Sequence, residues 1–113
     1  AKTALPEVLF ALKGIAVTEY TTPTTIEVPR EVSRVMAENP KSRTILLANH
    51  GALTIGSDVS EAFYMMETLE MFLKANLVST LLGNTRYLDE AQMDKVNRLI
   101  KGEDPDSVIG GIR

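Results

Sequence analysis

The chain of 113 residues contains no cysteine and only one histidine, His50. The first absence excludes disulfides and every thiolate metal site. The second limits any metal chemistry. A catalytic zinc usually takes three protein ligands and leaves one position open, so a lone imidazole cannot hold it. No stretch reaches the roughly 18 continuous apolar residues of a membrane span. No basic segment followed by an apolar one opens the chain as a leader would. Lysine and arginine form no run, and the net charge is -3, which argues against a nucleic-acid surface. The chain opens Ala1-Lys2-Thr3 without methionine, which suggests processing or a piece of a longer protein.

What is present suits one domain with a sizeable core: 44% of residues are hydrophobic and 24% charged. Leu5, Val8, Leu9 and Leu12 recur at helical spacing, with Pro6 in the first turn and Gly14 at the exit. Residues 15–20 read as a strand and residues 21–25 as a turn-rich loop. A second helix carries Val28, Val32, Val35 and Met36 on one face. It begins either after a cap at Thr25 or with Pro29 as its first residue, and ends at Asn39-Pro40. The apolar, β-branched run at 44–48 reads as a buried strand that stops at Gly51, and residues 52–55 as a second strand closed by Gly56.

The plainest element is a helix over about residues 59–82. Asp58 and Glu61 stand at capping-box spacing, with Asp in place of the usual Ser or Thr. Val59, Ala62, Phe63, Met66, Leu69, Leu73 and Leu77 form one stripe, and Met65, Phe72, Val78 and Leu82 lie off it. A helix so apolar around its circumference is expected to be covered on more than one side, partly by another chain or by further sequence. Gly83 is a stop residue. Asp89 and Gln92 repeat the capping-box spacing before a last helix with Val96, Leu99 and Ile100 on its apolar face.

His50 follows Asn49 at the end of an apolar strand, where α/β proteins commonly place ligands. Read from chemistry alone, it is either a core histidine satisfied by the backbone or one ligand of a larger site. Tyr20 ends a predicted strand and is either a half-buried aromatic with a wet hydroxyl or a proton donor. Glu61 is more simply a helix cap than a catalytic carboxylate. Glu67 and Glu70 read as rim or interface residues, Tyr64 and Tyr87 as packing residues, and Asn49 equally as a turn residue or an orienting hydrogen-bond partner.

The stretch Ile45-Leu46-Leu47-Ala48-Asn49-His50-Gly51-Ala52-Leu53-Thr54-Ile55-Gly56, continuing to Ser60-Glu61-Ala62-Phe63, resembles the zinc-dependent class II aldolase family. That family includes sugar-phosphate aldolases, pentulose-phosphate 4-epimerases and the adducin head. Upstream, Leu5-Pro6-Glu7-Val8, Ile15-Ala16-Val17 and Tyr20-Thr21-Thr22-Pro23 look like the segment leading to the family's Tyr-Ala-Thr-x-Gly-Thr loop, with Thr24 where many members have glycine. The resemblance runs over roughly residues 4–96 and covers the C-terminal half of a family domain. The family's His-x-His pair, its glutamate base and its phosphate-binding loops precede that half and are not in this sequence.

The resemblance implies an α/β fold, three-layer α/β/α around a central mixed, mainly antiparallel sheet. Residues 1–101 would be the C-terminal part of the domain, while residues 102–113, rich in Gly, Asp and Pro, read from their composition as a tail with little structure of its own. The resemblance implies that His50 is the third zinc ligand, with Gly51 turning the chain sharply beside the metal. It also implies that Tyr20 reaches a neighbouring subunit's site and handles a proton on the aldehyde oxygen. The implied activity is zinc-assisted, reversible aldol cleavage of a ketose 1-phosphate, such as fuculose 1-phosphate, to dihydroxyacetone phosphate and an aldehyde. The implied partners are the sugar phosphate, the N-terminal half of the domain and further copies in a cytoplasmic tetramer. The alternatives are a pentulose-phosphate 4-epimerase and a non-catalytic assembly module of adducin-head type.

Overall fold

The structure is a computed structural model that describes residues 4–105. Its elements are α1 (Glu7–Leu12), β1 (Ala16–Val17), α2 (Glu27–Glu38), β2 (Thr44–Leu47), β3 (Gly51–Thr54), α3 (Val59–Leu82) and α4 (Glu90–Lys101). The three strands form one sheet in the order β1-β2-β3. β1 pairs parallel with β2, Ala16 opposite Ile45, and β2 pairs antiparallel with β3, Leu46 opposite Ala52. The sheet is therefore mixed, and its antiparallel ladder is the longer one.

Side chains alternate between the faces of a strand, so the register sorts the core into two halves. Leu46 and Ala52, a register pair, pack with Val8, Leu12, Ile15, Met65, Leu69 and Phe72, which α1 and α3 supply in the main. Ile45 and its neighbours across the ladders, Ala16 and Leu53, pack with Val35 and Val32 of α2. Helices on both faces give the expected three layers. Leu12, Ile45 and Leu69 are almost wholly shielded, and each such side chain stabilises the fold by roughly 1.5–3 kcal/mol through burial.

Local signals set most helix ends. Asp58 accepts the Glu61 N–H at 2.8 Å and starts α3, which Gly83 stops with a φ of 80°. Asp89 and Gln92 make a full capping box on α4, both arms present. Gly56 lies so close to the first turn of α3 that a Cβ would stand 2.5 Å from the Ala62 nitrogen and 2.8 Å from the Asp58 oxygen. Only a residue without a side chain lets β3 meet the helix at this distance.

Four expectations are corrected. The strand expected at 15–20 is limited to Ala16–Val17. The Thr18 N–H still reaches the Leu46 carbonyl at 2.9 Å, but the Glu19 N–H turns to the Glu31 carboxylate. α2 begins at Glu27, between the two expected starts, and Pro29 sits inside its first turn, where a missing N–H costs no intrahelical bond. On α3 the buried residues are Met65, Leu69 and Phe72, two of them outside the expected stripe. Val59, Phe63 and Leu77 of that stripe are exposed, as are Leu81 and Leu82. Tyr64 and Tyr87, expected in packing roles, are also exposed.

Of the tail expected at 102–113, residues 106–113 lie outside the described residues. Asp104 is buried, with its carboxylate 3.7 Å from Arg98. No helix among the described residues is long and apolar enough to cross a membrane.

Candidate functional site

β2 and β3 form a hairpin whose loop is Ala48, Asn49 and His50. The His50 N–H donates to the Leu47 carbonyl at 3.0 Å, closing a turn. Asn49, the third residue of this turn, takes a positive φ of 57°, a conformation asparagine tolerates well. Gly51 was expected to make that sharp turn. Its φ is not positive, and it is the first residue of β3, paired with Leu47. Asn49 is thus the turn residue, and His50 stands exposed at the hairpin tip.

Among the described residues the His50 ring has no partner, and no group of three or more His, Asp or Glu stands where it could hold a metal ion. The donor set fits a contribution of one neutral nitrogen ligand to a zinc site. Any other ligands of such a site would have to come from outside the described residues.

Tyr20 is 60% exposed. It follows β1, and the sheet brings its segment to the end where the hairpin loop lies. The link is Thr18, a buried residue that sequence reasoning passed over. Its N–H donates to Leu46, and its hydroxyl oxygen accepts the Ala48 N–H at 3.1 Å. Tyr20 and His50 each lie two residues beyond this pair.

The Tyr20 loop is held on its other side by α2. Glu31 accepts the Glu19 N–H at 2.9 Å, and Glu27 accepts the Thr22 N–H at 3.0 Å. Arg34 clamps Glu31 and Glu38 at 2.7 Å each. Its hydrogen bonds, with that of the Glu19 N–H, hold the Glu31 carboxyl down at about 2. The helical spacing of Glu31, Arg34 and Glu38 advertises their pairing; nothing in the sequence advertises the bond to Glu19. Thr24 takes a φ of 66°. This is the left-handed region that glycine occupies freely and a β-branched residue rarely enters, at the position where the resemblance expects glycine.

Glu61 acts on its own helix end. Its carboxylate accepts the Ser57 N–H and lies 3.4 Å from Arg43. The Ser57 bonds first, and the Arg43 charge after them, hold its carboxyl below the usual range. That is a cap, as expected. Glu70 pairs with Lys74 at 2.7 Å on the surface of α3.

The sequence matches the family described as Class II Aldolase and Adducin N-terminal domain over residues 3–77. It is 32% identical over 78 residues to an L-fuculose phosphate aldolase of Methanococcus maripaludis strain C5, covering 69% of this chain and 40% of that protein. The corresponding protein of strain C7 is 32% identical over 73 residues, covering 65% and 38%. The chain thus spans about two fifths of the length of the curated relatives it matches. Among solved structures, an L-fuculose 1-phosphate aldolase superposes with a TM-score of 0.70 at 27% identity, over 82% of this chain and 42% of that one. YgbL of Escherichia coli gives 0.71 at 24% identity, over 85% and 44%, a likeness of fold. With the Asn-His-Gly hairpin inside a match that takes in most of its residues, the chain belongs to the class II aldolase and adducin N-terminal domain family.

Proposed function

We propose that this chain contributes the His50 hairpin and the Tyr20 loop to a zinc-dependent enzyme that cleaves a ketose 1-phosphate, such as fuculose 1-phosphate, to dihydroxyacetone phosphate and an aldehyde. The supporting observation is the exposed imidazole of His50, without a partner among the described residues, on a turn whose base is hydrogen-bonded to the segment carrying Tyr20. Residues 1–101 act in this reading as the C-terminal part of the domain, with 102–113 as a tail.

His50 would hold zinc together with ligands from the rest of the domain. Bound zinc supplies Lewis-acid polarisation of substrate oxygens. Tyr20 moves one proton. In condensation its phenol gives that proton to the aldehyde oxygen, which becomes a hydroxyl, and in cleavage the phenolate takes it back. The exposure of Tyr20 suits a role in a site shared with another subunit. The exposed apolar residues of α3 suit burial against the remainder of the domain and further copies in a tetramer in the cytoplasm. A free histidine on the turn favours an enzyme over an adducin-head-like assembly module.

The test uses the full-length protein. Zinc is measured after dialysis, and release of dihydroxyacetone phosphate from fuculose 1-phosphate is followed in unaltered and His50→Ala protein. Stoichiometric zinc and cleavage are expected in the first, and loss of both in the second. Full zinc and turnover in His50→Ala would show that His50 is not a ligand. Epimerisation of a pentulose phosphate without cleavage would move the assignment to the 4-epimerases.

A further inference from the structure

Lysine and arginine are scattered along the sequence, yet the fold gathers four of them. Lys13 at the exit of α1, Lys41 and Arg43 before β2, and Lys101 at the end of α4 line one groove of about 580 Å³. Among the described residues no acidic one lines it, although the chain as a whole is acidic. Asp94 lines only the adjoining cleft, which shares Lys41 and Lys101. Glu61, bonded to Arg43 at 3.4 Å, offsets part of the charge from outside the lining. Among the described residues neither Lys41 nor Lys101 has an ion-pair partner.

Helix ends explain two of the four cations. Lys13 and Lys101 close α1 and α4, where the helix dipole favours positive charge. They do not explain why Lys41 and Arg43, from the connection between α2 and β2, face the same space. Cations lining one cleft repel each other and focus a positive potential into it, which a bound anion relieves. The remaining wall is mixed. Asn97 offers an amide, and Leu9 and Ile100 offer apolar surface. The groove opens before the first residue of β2, while His50 lies beyond its last, so the strand's length of about 13 Å separates the two.

We propose that this groove binds a small phosphorylated organic anion of at least two negative charges, apart from the His50 hairpin. The lysines take the phosphates as point charges, and Leu9 and Ile100 take the organic body. The volume lies in the range of small-molecule sites.

The test is calorimetric titration of chelator-dialysed, full-length protein at low ionic strength, with sodium pyrophosphate and with fructose 1,6-bisphosphate as probes. Saturable binding is expected for both, tighter for the bisphosphate because of the apolar wall. Lys41→Gln with Lys101→Gln should weaken it by about tenfold, since two exposed charge interactions are lost. Lys74→Gln, outside the groove, should leave it unchanged. Lys41→Gln alone gives a partial loss that can be read if the double variant fails to fold. Absence of saturable binding to the unaltered protein, or binding that both Lys41 variants retain in full, overturns the proposal. Tighter binding of pyrophosphate than of the bisphosphate overturns the organic part of it.

Discussion

Thr18 and Ala48, 30 residues apart in the chain, are joined by a 3.1 Å hydrogen bond from the Ala48 N–H to the Thr18 hydroxyl. The bond ties the end of β1 to the base of the hairpin loop. Thr18→Val removes the acceptor at nearly constant volume and leaves the Ala48 N–H unpaired. Ala48 is half-buried, so the cost falls at the low end of the roughly 1–3 kcal/mol of a buried unpaired donor. In the full-length protein this variant should lower the melting temperature and weaken zinc retention, measured by chelator competition. Thr18→Ser keeps the oxygen and should restore zinc retention. If valine left zinc affinity untouched, the bond would serve stability alone.

Tyr20→Phe should slow cleavage by at least about tenfold with zinc content unchanged, because general acid–base catalysis typically contributes about 10²–10⁴-fold. Proton exchange into dihydroxyacetone phosphate involves no aldehyde, so it should survive the substitution better than cleavage does. Equal loss of both would mark Tyr20 as structural, and loss of neither would make it a bystander.

Glu31 links the Tyr20 loop to α2 and should make that link sensitive to acid. Its carboxyl is held at about 2 in the folded protein against an ordinary 4.5. The folded state therefore favours the charged form. Its contribution is complete above about 4.5 and disappears as the pH falls towards 2. Glu31→Gln should lower the melting temperature at neutral pH, and the gap from the unaltered protein should close across that window. A gap independent of pH would mean that the side chain acts by packing.

Residues 1–113 on their own should aggregate or form a non-native oligomer and lack aldolase activity. β1 and β3 are both edges of the described sheet, with backbone groups open to other chains. Beside β3, Met66, Leu73 and Leu77 line an apolar groove of about 340 Å³, and Leu81 and Leu82 stand in solvent further along α3. Light scattering and a thermal melt decide the matter. A monodisperse monomer that unfolds cooperatively would show that this surface needs no cover.

The sequence by itself determined the features whose causes are local. Asp58, Asp89 and Gln92 cap their own helices within one turn, so the starts of α3 and α4 were legible. The apolar run before Asn49-His50-Gly51 was legible as a strand for the same reason, and its pattern pointed to the family. Tertiary structure decided whatever depended on a partner far along the chain. β1 is short because β2 ends at Leu47 and the Ala48 N–H goes to the Thr18 hydroxyl instead of continuing the ladder to the Thr18 carbonyl. An α3 apolar on every side carries no mark of which face meets the sheet. That choice fell to Met65, Leu69 and Phe72 once α1 and Leu46 lay against them. Gly51 was expected to turn the chain sharply and Asn49 to be either a turn residue or an orienting partner; strand pairing with Leu47 claimed the glycine, and the turn fell to Asn49. The meeting of Thr18 with Ala48, and of Lys13 and Lys41 with Lys101, follows only from the packing of sheet and helices, which brings distant residues within reach.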